Sequence, residues 1–184
     1  LGVLVSAGVY GFSYYQRTSS TPDTDNSLFA DYKNGTYVIA GAEVELTNGK
    51  SEVAIVPGSA SQTVTEYFGN EVRADIDGDA DEDISFLITQ NSGGSGAFFY
   101  LVSALKEDGG YRGTNAVFIG DRIAPQTTEF KDGIIIVNYA DRKPGEPMTA
   151  EPREGKSLYL KYDVTSNSFG EVVQNFEGEA DPKK

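Results

Sequence analysis

Short segments rich in β-branched and aromatic residues recur from Leu28 onward, and no long amphipathic helical pattern separates them. Such segments, bounded by Gly, Asn, Asp and Ser, are typical of β-strands. The candidate strands cover residues 36–40, 44–46, 53–56, 63–68, 84–89, 98–105, 116–119, 134–139 and 158–164. We therefore predict a mainly β domain, built as an antiparallel sheet, a small barrel or a sandwich, with at most one or two short helices.

Two segments between these candidate strands have sequences typical of turns. Asn48-Gly49 is a strong hairpin signal between residues 44–46 and 53–56. The Gly-rich run 91–96 predicts a second hairpin between residues 84–89 and 98–105. Side chains alternate along a strand, so Phe98 and Tyr100 are predicted on one face and Phe99 on the other. One face is expected in the core. The other is either buried as well or exposes an aromatic ring to a glycan or protein partner.

An acidic loop lies between two of the predicted strands. Its alternate positions hold Asp75, Asp77, Asp79, Asp81 and Asp83. Carboxylates this close repel one another, and a bound Ca²⁺, which takes six to eight oxygen ligands at about 2.3–2.6 Å, removes that repulsion. The spacing follows an EF-hand loop, but Phe86 stands where that loop ends in Glu. We predict one structural Ca²⁺ bound by these aspartates, Asp81 through its carbonyl. The alternative is a solvated acidic turn.

This strand–loop–strand segment resembles the calcium loop of FG-GAP repeats. The shared pattern is Asp-x-Asp-x-Asp, two intervening positions and a further Asp before an apolar strand. The chain departs from the family at Ala80, where the family has Gly and the backbone tends toward positive φ. A non-glycine residue in that region costs roughly 1–2 kcal/mol. The resemblance therefore implies a calcium site that is weaker than those of the family, or reshaped.

A second resemblance covers roughly residues 70–140. Residues 93–100, 115–123 and 132–137, together with the acidic loop, are similar to uncharacterised bacterial envelope proteins, many of them lipoproteins, including the LppP/LprE-like group. The shared features are a Gly-Gly-Ser-Gly-aromatic hairpin, a Gly-Asp-Arg turn and an apolar strand. This resemblance implies an envelope location and a domain type, but no activity.

Composition excludes several classes of function. The chain has 184 residues, a net charge of −13, and neither Cys nor His. Zinc sites built on thiolate or imidazole, Cys nucleophiles and Ser-His-Asp triads are thereby excluded. The 15 Lys and Arg residues form no cluster, so no nucleic-acid partner is expected. Two alternatives to the calcium-binding module stay open: a metal-assisted or carboxylate-based hydrolase, and a metal-free module whose acidic loop meets a basic protein.

The Gly-Asp-Arg turn at residues 120–122 has either a structural or a ligand-binding role. Asp121 and Arg122 are expected to pair locally in a turn rather than to bind an anionic ligand.

Residues 1–15 carry no charge and are fewer than the roughly 20 that span a bilayer.

We expect residues 1–16 to be part of a transmembrane or signal-anchor segment; a buried core element is the alternative. Residues 17–27 are predicted to be a polar linker. Residues 28–174 are predicted to form the β-rich domain, and residues 175–184 an acidic, disordered tail. This order predicts a protein anchored in the cell membrane by its N-terminus, with its domain on the extracytoplasmic side.

Overall fold

The computed structural model describes residues 28–58 and 60–173. The expected membrane segment, linker and C-terminal tail lie outside these residues. The described part contains a single-turn 3-10 helix at Tyr32–Asn34 and a series of β-strands. The strands are β1 (Thr36–Ile39), β2 (Ala42–Glu45), β3 (Lys50–Ala54), β4 (Gln62–Ala74), β5 (Asp83–Asn91), β6 (Phe98–Glu107), β7 (Gly110–Gly113), β8 (Val117–Asp121), β9 (Ala124–Lys131), β10 (Ile134–Asp141), β11 (Glu154–Asp163) and β12 (Ser168–Glu171). Within this part of the chain, no helix is long and apolar enough to cross a membrane.

The strands form two main antiparallel sheets and a separate hairpin. The six-stranded sheet has the order β3-β4-β5-β6-β7, and β8 also pairs with β6. β7 lies beside the C-terminal part of β6 and β8 beside its N-terminal part. The four-stranded sheet has the order β12-β11-β10-β9, and β1 pairs with β2. The prediction of a mainly β, antiparallel domain is therefore confirmed.

Both faces of the six-stranded sheet are covered. Leu87 and Leu101 point toward the four-stranded sheet and meet Val137 and Leu160 there. We call this buried set the inter-sheet core; it comprises Ile76, Leu87, Phe99, Leu101, Leu105, Ile119, Ile123, Ile135, Val137, Tyr139, Leu160, Tyr162 and Phe169. Because β5 is covered on both sides, its sequence reads as a nearly continuous apolar run rather than a simple alternation.

The opposite face carries the hairpin core, which comprises Tyr37, Ile39, Leu46, Ile84, Phe86, Ile88, Val102 and Ala104. The hairpin approaches β7 so closely that a Cβ atom on Gly113 would lie 2.0 Å from the carbonyl oxygen of Thr36. Glycine at this position therefore allows the two backbones to meet.

The Asn48-Gly49 signal gives the predicted turn but not the predicted hairpin. Both residues have positive φ, and Thr47 and Lys50 exchange backbone hydrogen bonds across the turn. The flanking strands then separate, since β2 pairs with β1 and β3 pairs with β4. Leu46 is buried in the hairpin core, and its N–H donates to the carbonyl of Gly35. Both contacts keep β2 beside β1 rather than beside β3.

The hairpin predicted around the Gly-rich loop is confirmed, because β5 and β6 pair from Ile84 with Ala104 to Gln90 with Phe98. The alternation along β6 is confirmed as well. Phe99 lies in the inter-sheet core, whereas Tyr100 packs against the hairpin core and meets Phe118 at a ring-centroid distance of 5.4 Å.

Candidate metal centre

The acidic loop connects β4 to β5 across one end of the inter-sheet core. Ile76 is buried in that core and anchors the loop to the six-stranded and four-stranded sheets. Asp83 is the first residue of β5 and is fully buried, whereas Asp77 is half-buried and Asp75 is exposed. The carboxylates of this one loop therefore range from fully buried to exposed.

Three of the five predicted ligands converge. Carboxylate oxygens of Asp75, Asp77 and Asp83 all lie within 4.8 Å of one another. Two ligands of one Ca²⁺ ion, each at about 2.3–2.6 Å, lie at most about 4.6–5.2 Å apart. The triad spacing therefore fits a single calcium ion. The carboxylates of Asp79 and Asp81 do not belong to this group.

Backbone N–H groups of the loop fold it around the first aspartate. Asp75 accepts from the N–H of Gly78 at 2.8 Å and from the N–H of Ala80 at 3.1 Å, each with a different carboxylate oxygen. Asp79 in turn accepts from the N–H of Asp81 at 2.8 Å. Such side chain–backbone bonds are the usual means by which Asp forms turns. These bonds fold the loop so that the carboxylate of Asp75 lies close to that of Asp83.

The backbone at Ala80 has φ of 75°. The positive φ expected from the family pattern is therefore present, although the residue is not glycine. This position carries the strain of roughly 1–2 kcal/mol that a side chain brings to the left-handed region.

Asp83 is held by the main chain of two different segments. Its two carboxylate oxygens accept from the N–H of Ile76 at 2.8 Å and from the N–H of Lys106 in β6 at 2.7 Å. Burial raises the pKa of Asp83, and these two hydrogen bonds oppose the shift. The side chain thus joins the loop, β5 and β6 at one buried point.

No Lys or Arg among residues 28–58 and 60–173 forms an ion pair with the triad. The nearby Arg112 is engaged elsewhere, since it pairs with Glu107 and donates to Asn167 at 2.7 Å. Burial raises the pKa of Asp77, and the charges of Asp79 and Asp75 raise it further, while the charge of Arg112 opposes the shift. The triad therefore presents negative charge that the described side chains leave largely uncompensated, which is the arrangement that a hard cation stabilises.

The Gly-Asp-Arg turn carries a local ion pair, as predicted. The guanidinium of Arg122 contacts the carboxylate of Asp121 at 2.8 Å and 3.1 Å. Arg122 holds the pKa of Asp121 below its usual range. Arg142 closes the turn by donating to the backbone carbonyl of Arg122 at 2.9 Å. These contacts give the turn a structural role.

No protein-family model, curated protein or solved structure matches this chain. The similarity to FG-GAP calcium loops and to envelope lipoproteins of the LppP/LprE-like group stays a prediction.

Proposed function

We propose that this chain is a membrane-anchored, extracytoplasmic β-sandwich module that binds one structural Ca²⁺ through the β4–β5 loop. The observation that carries the proposal is the convergence of Asp75, Asp77 and Asp83 within 4.8 Å without a cationic side-chain partner among the described residues. The carboxylate of Asp79 and the carbonyl of Asp81 are the next candidate ligands in the loop, and water completes the six to eight oxygens that Ca²⁺ takes.

A structural role for the ion follows from the position of Asp83. This carboxylate is 0% exposed and already bonds the amides of Ile76 and Lys106. An ion shared between Asp83 and the exposed Asp75 would fix the surface loop to the buried start of β5. Binding would then raise the free energy of unfolding, because the ion binds the folded loop and not the unfolded chain.

The expected affinity agrees with an extracytoplasmic location. Extracellular calcium modules bind at about 10⁻⁴–10⁻³ M, and strain at Ala80 favours the weaker end of that range. Calcium at such concentrations is found outside the cytoplasm. The uncharged residues 1–15 and the polar residues 17–27 support a membrane anchor with a tether. The role of the module in this setting is binding or envelope support.

The calcium proposal is tested by thermal unfolding of the full chain, in nonionic detergent, with EDTA, Mg²⁺ or Ca²⁺. At about 10 mM Ca²⁺, an affinity in the expected range gives about 1.4–2.7 kcal/mol of stabilisation, or a rise in Tm of about 3–10 °C. We expect this rise in the wild type and none in Asp77→Asn. Asp132→Asn, in the exposed β9–β10 turn, makes the same charge change away from the loop and should respond like the wild type.

A wild-type Tm that is the same in EDTA and Ca²⁺ would contradict the calcium site. Anchoring is tested separately by fractionating cells that produce the full chain. Recovery of the protein in the soluble fraction would contradict the anchor and would leave the calcium proposal untouched.

A further inference from the structure

β3 is the outer edge of the six-stranded sheet, and β4 is its partner on the inner side. Among residues 28–58 and 60–173, no strand pairs with its outer side. The N–H of Ile55 donates to the carbonyl of Ser61 at 3.0 Å, which fixes the alternation of the β3–β4 ladder. Glu52 and Ala54 consequently direct their backbone N–H and C=O groups away from β4. These two residues offer donors and acceptors to an added strand.

An apolar groove of about 340 Å³ lies beside this edge, between the β1–β2 hairpin and the sheet face. Ala42 and Val44 line it from the hairpin, and Val53 and Ile55 line it from β3 and its extension. Val53 is 57% exposed and Ile55 is 49% exposed. Every second side chain of a strand added to β3 would point to this face of the sheet. The groove could therefore receive apolar side chains from such a strand.

The charges near the edge favour a basic occupant. Glu52 faces the side of β3 opposite to Val53, and its side chain is 45% exposed. On that face Lys50 pairs with Glu52 at 2.6 Å and with Glu66 at 3.3 Å, so two carboxylates share one ammonium group and the face keeps a net negative charge. The whole chain carries a net charge of −13, which repels acidic partners and opposes pairing with a second copy.

We propose that β3 is the docking edge for an extended peptide segment of a partner protein in which apolar and basic residues alternate. The peptide adds to the sheet as a further strand through the backbone groups of Glu52 and Ala54. Its apolar side chains contact Val53, Ile55 and the groove, and its basic side chains lie beside Glu52. Main-chain hydrogen bonds supply affinity and the alternate side chains supply specificity. This interface does not depend on the calcium site.

The test uses fluorescence anisotropy of a labelled peptide of alternating Lys and Val, added to the full chain in nonionic detergent. A length of about seven residues spans β3 at about 3.3 Å per residue. We expect saturable binding that weakens as salt is raised, because exposed charges are screened. A peptide of alternating Glu and Val serves as the control and should bind at least about tenfold more weakly.

Two variants locate the binding on the edge. Ala54→Pro removes an outward N–H and leaves the β3–β4 ladder intact, so binding should weaken about tenfold while Tm is unchanged. Glu52→Lys should weaken binding of the Lys-Val peptide and strengthen binding of the Glu-Val peptide.

Three results would overturn the proposal. The first is an absence of saturable binding to the wild type. The second is binding that neither variant changes. The third is a dimer of the free protein that Ala54→Pro converts to a monomer, because a second copy would then be the occupant of the edge.

Discussion

Replacing Asp83 by Ala removes the acceptor of two backbone N–H groups at the start of β5. In the wild type, Ile76 and Lys106 donate to this carboxylate at 2.8 Å and 2.7 Å, and the carboxylate is fully buried. Alanine offers no acceptor, so both donors lose their partner in an environment that water does not reach easily. We expect a large loss of stability even when no calcium is present.

The magnitude follows from the cost of a buried, unsatisfied donor, which is about 1–3 kcal/mol. Two such donors cost about 2–6 kcal/mol. Part of this cost is offset, because burial raises the pKa of Asp83 and the ionised side chain is itself unfavourable in the folded state. The expected net loss is about 2–4 kcal/mol. For a chain of this size that lowers Tm by about 5–15 °C.

The assay is urea unfolding of the full chain in EDTA, followed by far-UV circular dichroism. Asp75→Ala is the matched control, since Asp75 also accepts two backbone N–H groups, from Gly78 and Ala80, but at an exposed position. Water can replace that acceptor, so its loss should cost less than about 1 kcal/mol. Both variants should lose the response to calcium.

The comparison separates the structural role of Asp83 from its role as a ligand. If Asp83→Ala costs no more than Asp75→Ala in EDTA, the buried hydrogen bonds of Asp83 do not stabilise the loop and the reasoning is wrong.

Three further predictions follow from the backbone and the buried tyrosine. Ala80→Gly should raise the free energy of unfolding by about 0.5–1 kcal/mol and tighten calcium binding, because relief of the positive-φ strain exceeds the added chain entropy. Gly113→Ala should lower it by about 3 kcal/mol or more, because the new Cβ would lie 2.0 Å from the carbonyl oxygen of Thr36. Burial raises the pKa of Tyr37, so the stability that its neutral form contributes is fully present below about pH 10 and is lost as the pH rises further. The wild type should therefore lose stability more steeply above pH 10 than Tyr37→Phe.

Each of these predictions has its own control. A loss of stability in Ala80→Gly would mean that the loop is not strained at this position, because the added chain entropy of Gly would then act alone. Gly155→Ala is the control for Gly113→Ala, because no atom lies within 4 Å of its new Cβ; equal effects of the two changes would refute the close approach. Chemical denaturation at several alkaline pH values tests Tyr37, and parallel curves for wild type and Tyr37→Phe would contradict its burial.

The sequence predicted the strands of the six-stranded sheet better than those of the four-stranded sheet. β5 and β6 are apolar and β-branched, with a Gly-rich loop between them, so local pattern was sufficient. β9 was missed because its exposed positions carry Gln, Thr and Glu, and only its register with β10 makes it a strand. Pairing of this kind depends on contacts distant in sequence, which periodicity does not report.

The candidate site was predicted in part, for the same physical reason. Spacing identified the loop and the residue with positive φ at Ala80, both of which are local properties. Spacing did not distinguish Asp83, which is buried and accepts from Lys106, from Asp79, which is exposed and lies outside the triad. That difference arises because β6 pairs with β5 and brings Lys106, which is distant in sequence, next to Asp83.

The most direct test of the account is the calcium content of the full chain after equilibrium dialysis against about 1 mM Ca²⁺, a concentration at or above the expected dissociation constant. The measurement compares the wild type with Asp77→Asn and Asp132→Asn. The account predicts between half and one bound ion per chain for the wild type and for Asp132→Asn, rising toward one at higher calcium, and none for Asp77→Asn. Calcium that stays at background in the wild type, or that is the same in Asp77→Asn, would contradict a calcium centre at Asp75, Asp77 and Asp83.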